Sequence, residues 1–346
     1  MTRLRNAEGI PLVRVTGDPF EAGYRHGAAR AGALRAFLAD DLCRLNRLLP
    51  APDSPVSLDS LRPMLSAYEA EIRAATPDLA EEIRGLGEGA GIGHEPALLL
   101  QLRREIMGYQ KIPTMGDCTT YVRSGVLAQT VDLNGDLDDQ IAVLDVTRNG
   151  RRALVLSFGG LLGYLGVNGD GLAIGLNLVL GGDWRPGLPP YLAIRHLLDT
   201  ASGVDHAIEI LRGLRLASSR SLILCDATRA ACVEILGDEL REVDATEHTN
   251  HFLHPGFAAR DELNVFARNS SLLRLKACRS GLSELSPDAG VEDHFGLLSA
   301  PPVCVADTGD IRSERTVAAV VLVPGRGELH LRPGDPSRSV TRTFTL

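Results

Sequence analysis

The sequence predicts an α+β protein in which helices cover a mostly antiparallel sheet. Three observations lead there. Apolar residues keep helical spacing through about the first hundred positions. After Gly116 the period changes to two. Helices and strands then come in blocks, and Asn168-Gly169-Asp170-Gly171 supplies hairpin chemistry, as an antiparallel fold requires.

Taken in order, residues 10–17 alternate as a short strand. Asp18, Pro19 and Glu21 then form a helix start: an N-cap, a proline at the first helical position and a glutamate at the third. Leu34, Phe37, Leu38, Leu42, Leu45 and Leu49 predict that this helix runs on to Leu49. Pro52 and Pro55 mark a loop over residues 51–57, and a second helix is expected over 58–75. Thr76-Pro77 restarts the helical pattern, the glycines from Gly85 to Gly93 are expected to stop it, and a last helix follows over 96–107. Strands are expected over 119–122, 126–131, 141–146 and 153–158, then over 161–167 and 172–180 about the Asn-Gly-Asp-Gly turn. Helices return over 190–200 and 204–214, followed by strands 221–225 and 231–236. A helix over 270–283 and a hairpin of strands 316–323 and 328–331, turned at Pro324-Gly325, complete the chain.

At 346 residues the chain buries enough surface to need no disulfide staples. The net charge of −8, without a basic block, argues against nucleic acid as a partner. The six cysteines are scattered and read as free thiols in a reducing compartment. No apolar run follows Met1, and the uncharged stretch 153–169 is glycine-rich and broken by Asn168, so a signal peptide and a membrane span are not expected. The expectation is a cytoplasmic protein without a cofactor.

The residue that stands out is Cys118, in Met115-Gly116-Asp117-Cys118-Thr119-Thr120-Tyr121, where helical pattern gives way to strand. As plain structure it is a small hydrophobe opening a strand. As chemistry it needs a route to thiolate and a way to hold an oxyanion. If the bond before it is cut, the new α-amine has a pKa of about 7.7–8.0, against about 8.5 for the thiol. One residue then supplies nucleophile and base, and no histidine is required.

These residues resemble the cysteine-type acyltransferases related to acyl-coenzyme A:isopenicillin N acyltransferase (C45-type), members of the N-terminal-nucleophile hydrolases. Cys118-Thr119-Thr120 resembles the start of that family's β chain, and Gln129-Thr130-Val131-Asp132 its Gln-x-x-Asp. Gly23 and Gly27, the run from Glu82 to Gly91, Arg103-Arg104-Glu105, Asn168-Gly169-Asp170-Gly171-Leu172 and His248-Thr249-Asn250-His251-Phe252 extend the likeness over roughly residues 12–340. It implies an αββα sandwich and self-cleavage between Asp117 and Cys118. Residues 1–117 and 118–346 would then stay associated as one structural unit. It implies further that Cys118 is the nucleophile, that Thr120 bonds near it, that Asp132 orients the freed α-amine and that Asn250 donates to the oxyanion. Arg315 matches an arginine near the nucleophile, and Ser219 falls near the substrate pocket. As ordinary structure, Thr120 is a strand threonine, Asp132 opens an acidic loop, Asn250 sits in a turn and Arg315 is a solvated cation. The chain departs from the penicillin enzyme at Asp117, where that enzyme has glycine. An aspartate is more restricted in backbone conformation, and its charge disfavours a neighbouring thiolate.

Rival motifs are weaker. Asp132, Asn134, Asp136 and Asp138 echo a calcium loop, but Leu137 and Val143 stand where glycine and glutamate are required. His248, His251 and His254 point to differing faces of an extended segment, and no glutamate base accompanies them as a zinc enzyme requires. Gly85-x-Gly87-x-Gly89 follows a helix instead of a strand, so the dinucleotide reading fails on context. The expected activity is acyl transfer or amide hydrolysis through an acyl-Cys118. The partners are a small-molecule amide, ester or thioester donor and an amine or water acceptor, in a secondary-metabolite pathway. The alternative is an uncleaved binding protein on the same scaffold.

Overall fold

The computed structural model describes residues 9–49, 55–108 and 118–346. Asp117, and with it the Asp117–Cys118 bond, lies outside the described residues. The chain opens with β1 (Leu12–Val15), α1 (Pro19–Ala39), the short α2 (Leu45–Leu48), α3 (Leu58–Ala75), α4 (Pro77–Ala90) and α5 (His94–Met107). Strands β2 (Thr119–Arg123), β3 (Val126–Leu133), β4 (Ile141–Arg148), β5 (Arg151–Phe158), β6 (Leu165–Asn168) and β7 (Ala173–Leu178) follow. Next come α6 (Pro190–Thr200), α7 (Val204–Arg212), β8 (Arg220–Cys225), β9 (Ala230–Leu236), β10 (Glu239–Val243) and β11 (Glu247–His248). The chain ends with α8 (Pro255–Ala258), α9 (Val265–Glu284), α10 (Val291–Ser299), β12 (Arg315–Val323), β13 (Glu328–Pro333) and β14 (Arg342–Thr345).

The strands make two sheets, ordered β1-β4-β5-β6-β7-β8-β9-β10 and β11-β2-β3-β12-β13-β14. Every pairing is antiparallel except that of β1 with β4. The sheets face each other through β2 and β3 against β7, and through β12 and β13 against β6. Helix α6 packs on β5, β6 and β7, while α9 and α10 cover β2, β3, β11 and β12 from the opposite side. The result is a four-layer αββα sandwich. The central strands are buried on both faces and read as near-continuous apolar runs, such as Ala-Leu-Val-Leu in β5.

One expectation about a helix end is corrected and another is sharpened. The first helix stops at Ala39 and does not run to Leu49. Asp41, Leu42, Cys43 and Arg44 take φ values of 48°, 53°, 56° and 65°. Left-handed backbone costs about 1–2 kcal/mol per L-residue, so tertiary bonds have to hold this turn. The Arg44 guanidinium supplies them, donating to Gly135 O (2.8 Å), Asp136 O (2.7 Å) and the Asp139 carboxylate (2.5 Å). Local periodicity does not see these partners some ninety residues away.

The helix stops within the expected glycine run, but only at Gly91 with φ 65°, so Gly85, Gly87 and Gly89 lie inside α4, which runs to Ala90. Gly85 and Gly89 serve a helix crossing. A Cβ on Gly23 or Gly27 of α1 would lie 1.9 Å from Glu82 O or 2.2 Å from Leu86 O. One on Gly85 or Gly89 of α4 would lie 2.0 Å from Phe20 O or 2.1 Å from Tyr24 O. Each helix thus presses its backbone into a glycine pair of the other.

Candidate active site

Antiparallel pairing assembles the neighbourhood of Cys118. Register Thr119↔Thr130 between β2 and β3 sets Cys118 beside Asp132, and β12 brings Thr316 opposite Asp132 from the other side. The Cys118 backbone nitrogen lies 3.3 Å from Asp132 Oδ2, and the Asp132 N–H points at Cys118 Sγ over 3.5 Å. One aspartate therefore touches both the nitrogen and the sulfur of the cysteine. Its carboxylate is fully buried and also accepts from Thr316 Oγ1 (2.6 Å) and Thr130 Oγ1 (3.4 Å). Cys118 is itself buried, and its φ of 80° lies in the left-handed region.

Donors from two layers grip the Cys118 carbonyl: Asn177 Nδ2 on β7 at 3.0 Å and Arg274 Nη1 on α9 at 2.7 Å. Arg274, 1% exposed, reaches on to Thr119 Oγ1 (3.2 Å) and to Asn250 Oδ1 (2.6 Å). It thereby ties Asn250 to Cys118 and fixes which end of the amide carries the donors. Asn250 Nδ2 donates to Leu178 O (2.9 Å), and its N–H to Ser271 Oγ (2.8 Å). The bonds described at Cys118 run to Asp132, Tyr164, Asn177 and Arg274; an imidazole is not among them.

Tyr164 OH lies 3.8 Å from Cys118 Sγ. Its ring stacks on Tyr191 and meets Phe158 edge-on, both at 5.1 Å between centroids. These three rings, with Leu100 and Met107, are among the residues that line a cavity. The other cysteines are poorly suited to nucleophilic work. Burial pushes the thiols of Cys43, Cys225, Cys232 and Cys278 up to about 12, and that of Cys304 to about 11.

The remaining residues singled out from sequence are placed as follows. Thr120 points between the sheets, its methyl filling the space that Gly175 leaves, and Oγ1 is bonded by no described residue. Ser219 Oγ donates to Val179 O (2.6 Å) and accepts from Trp184 Nε1 (3.3 Å), one residue along from the Leu178 carbonyl that holds Asn250. Arg315 forks onto Asp136 (3.1 Å) and Asp138 (2.6 Å), so two acids of the calcium-like stretch are engaged by a guanidinium. Among the described residues no group of three or more His, Cys, Asp or Glu is arranged to hold a metal ion. The histidines of the 248–254 segment have structural partners. His248 Nε2 meets the buried Glu234 at 2.9 Å, His251 Nδ1 meets Ser271 Oγ at 2.7 Å, and His254 caps α8. Burial brings the His251 imidazole down to about 4. Sequence reasoning did not single out Asn177, Tyr164, Arg274 or Thr316. Each lies on a regular helix, strand or turn with no spacing to mark it, and only the packing of layers brings it to Cys118.

A family model described as acyl-coenzyme A:6-aminopenicillanic acid acyl-transferase matches residues 118–336, more than half of the chain, starting at the cysteine. The 40 kDa form of acyl-coenzyme A:6-aminopenicillanic-acid-acyltransferase from Emericella nidulans is 27% identical over 263 residues, which cover 73% of this chain and 72% of that protein. Among solved structures, penicillin V acylase from Agrobacterium tumefaciens covers 66% of this chain and 86% of its own, at 13% identity and a TM-score of 0.49. A mutant of conjugated bile acid hydrolase from Clostridium perfringens covers 66% and 97%, at 11% identity and a TM-score of 0.48.

Proposed function

From the premise that the chain belongs to the acyl-coenzyme A:6-aminopenicillanic acid acyl-transferase family, we propose that it cuts itself between Asp117 and Cys118 and then transfers acyl groups through Cys118. The observation that carries this reading is the contact of Asp132 with both reactive atoms of Cys118, 3.3 Å from the nitrogen and 3.5 Å from the sulfur. A carboxylate so placed orients an amide nitrogen before cleavage and an α-ammonium after it.

In the maturing step Cys118 Sγ attacks the Asp117 carbonyl, the C–N bond breaks and the acyl group moves to sulfur. Water then hydrolyses the thioester, leaving an Asp117 carboxylate and a free Cys118 α-amine. In the catalytic step that amine takes the thiol proton. The thiolate attacks the donor carbonyl, and the oxyanion is held by the Asn250 side-chain amide with a backbone N–H. Collapse expels the leaving group, which takes a proton from the α-ammonium, and an acyl-Cys118 remains. An amine or water discharges it, restoring the thiol. Arg274 acts as a positioning residue through Asn250 Oδ1, and Thr316 through the Asp132 carboxylate.

Intact-mass spectrometry tests the first step. Wild type is expected as fragments 1–117 and 118–346, and Cys118→Ala as the uncut chain. An uncut, inactive wild type would favour a binding role on this scaffold, and cutting of Cys118→Ala at the same bond would remove Cys118 as the nucleophile. For the second step, an acyl adduct on the 118–346 fragment is expected with a simple thioester donor. Its partition between an added amine and water separates transferase from hydrolase.

A further inference from the structure

At the end of β2 away from Cys118 lies another cavity, of about 540 Å³. The β2–β3 turn, the β8–β9 turn, Glu247 of β11 and the last turns of α9 line it. Arg123, which closes β2, stands five residues beyond Cys118, roughly 16 Å along a strand at about 3.3 Å per residue. Both turns are held in shape. Ser124 and Gly125 take φ values of 50° and 75°, the pattern of a tight two-residue hairpin. Asp226 clasps the other turn: its carboxylate accepts from the N–H groups of Thr228 (2.7 Å), Arg229 (3.0 Å) and Val204 (2.7 Å). The cavity is therefore preformed.

The acids of this lining are already engaged. Asp226 holds its turn, and Glu247 accepts from Arg279 Nε (2.7 Å) and Thr246 Oγ1 (2.9 Å). Arg229 is engaged as well, by Asp205 (2.6 Å) and Glu242 (3.4 Å). Arg123 is different. It is half-buried, its Nη2 makes one long bond to Leu285 O (3.4 Å), and its buried Nε finds no acceptor among the described residues. Arg279, 54% exposed, gives Nε to Glu247, and its terminal nitrogens are bonded by no described residue. A buried guanidinium N–H without an acceptor is destabilising, and an oxyanion with paired oxygens answers it. The chain carries a net charge of −8, so these arginines are not part of a generally basic surface. Serine and threonine hydroxyls line the cavity, but no aromatic ring is among its lining residues. A compact, hydroxylated anion suits such walls, whereas an aryl group or a nucleobase would find nothing to stack on.

We propose that this cavity is a binding site for a compact hydroxylated anion, a phosphate ester or a hydroxycarboxylate, whose charged group is held by Arg123 and Arg279. The site is separate from the nucleophile and does not depend on the acyl-transfer reading. Arg279 follows Arg274 on α9 by five residues, so an anion shared with Arg123 ties β2 to the helix that also grips the Cys118 carbonyl.

Calorimetry on the protein as purified, at fixed ionic strength, tests this. Glycerol 3-phosphate and ribose 5-phosphate form one set of probes, malate and citrate the other, with glycerol and ribose as neutral controls. At least one anion is expected to bind about tenfold or more tighter than the neutral controls. Arg123→Gln is expected to weaken that binding at least tenfold, Arg279→Gln severalfold, and Arg123→Lys to keep part of it. Arg279 is exposed, so Arg279→Gln still reports if Arg123→Gln fails to fold. Cys118→Ala is expected to bind as wild type does. Binding of the first set alone assigns a phosphate ester, and of the second alone a carboxylate. The proposal is overturned if no anion binds tighter than the neutral controls, if both glutamine variants bind as wild type does, or if Cys118→Ala loses binding. Adenosine monophosphate binding tenfold tighter than ribose 5-phosphate would likewise overturn it, because these walls offer the base no ring.

Discussion

Cys118 has a backbone φ of 80°, which an L-residue adopts only when its surroundings enforce it, at a cost on the order of 1–3 kcal/mol. Asn177 and Arg274 on its carbonyl, and Asp132 on its nitrogen, are the enforcement. The sequence argument put the strain one position earlier, where a glycine in a relative contrasts with Asp117; the described strain sits on the cysteine. Asp132→Asn keeps the shape but removes the charge proposed to orient the α-amine. We expect it to slow both processing and turnover by about a hundredfold or more, within the range of acid–base contributions. Thr316→Val removes one bond to that carboxylate and is expected to slow turnover about fivefold, equivalent to roughly 1 kcal/mol. Both are read from cleavage time courses and single-turnover rates, and wild-type rates for Asp132→Asn would remove its assigned role. Asp132 and Asn250 stood out in the sequence because their motifs are local strings. Arg274 did not, because an arginine on α9 looks like any solvated helix arginine until the helix is laid on β2.

At the scale of elements, the α1–α4 crossing makes a prediction of opposite signs within one helix. Gly85→Ala or Gly23→Ala drives a methyl into a backbone carbonyl of the partner helix, and is expected to cost at least about 1–3 kcal/mol in urea unfolding. Gly32 on α1 faces open space, so Gly32→Ala is expected to stabilise by about 0.5–1 kcal/mol. A neutral Gly85→Ala would show that the crossing relaxes freely. The same helix carries His26, which burial, with Arg195 and Arg30 nearby, brings down to about 3. Between pH 6.5 and 3 the unfolded chain binds a proton that the folded chain refuses, so stability falls as pH falls, by up to about 1.4 kcal/mol per unit. His26→Leu is expected to flatten that part of the Tm-against-pH curve; His251, held at about 4, leaves a residual slope between 6.5 and 4. An unchanged curve in the variant would contradict the burial argument. Most elements were legible from period and punctuation, α3 and α6 to the residue. The elements missed, β10, β11, α8, α10 and β14, are short, and β10 and β14 are edge strands without alternating burial. The left-handed turn after α1 was illegible because its bonds come from the loop after β3.

Across the whole molecule, the segment before Cys118 is woven into the segment after it. β1 is one edge strand of the larger sheet and pairs, among the described residues, with β4. Glu82 of α4 is fully buried between Arg148 of β4 (2.6 Å) and Arg195 of α6 (2.9 Å), and Asp199 balances Arg195 at 3.0 Å. Glu82→Gln leaves two guanidinium groups short of one counter-charge, and a cost of about 3–5 kcal/mol is expected in chemical denaturation. Less than 1 kcal/mol would mean that the arginines find other partners. Fragments 1–117 and 118–346 are expected to co-elute under native conditions and to part only in denaturant. Separation in plain buffer would contradict this interlocking.

The pairing of β1 with β4 also sets the molecularity of folding. In an uncut chain, bringing that strand home is a unimolecular loop closure. Once the bond before Cys118 is broken, the same pairing becomes an encounter between two molecules, and unfolding becomes a dissociation. The processed protein should therefore melt at a temperature that rises with its concentration, whereas the Cys118→Ala chain should melt at one that does not. Diluted from denaturant, the processed protein should regain structure at a second-order rate and the Cys118→Ala chain at a first-order rate. Maturation would thus convert a protein that refolds alone into one whose recovery depends on its own abundance.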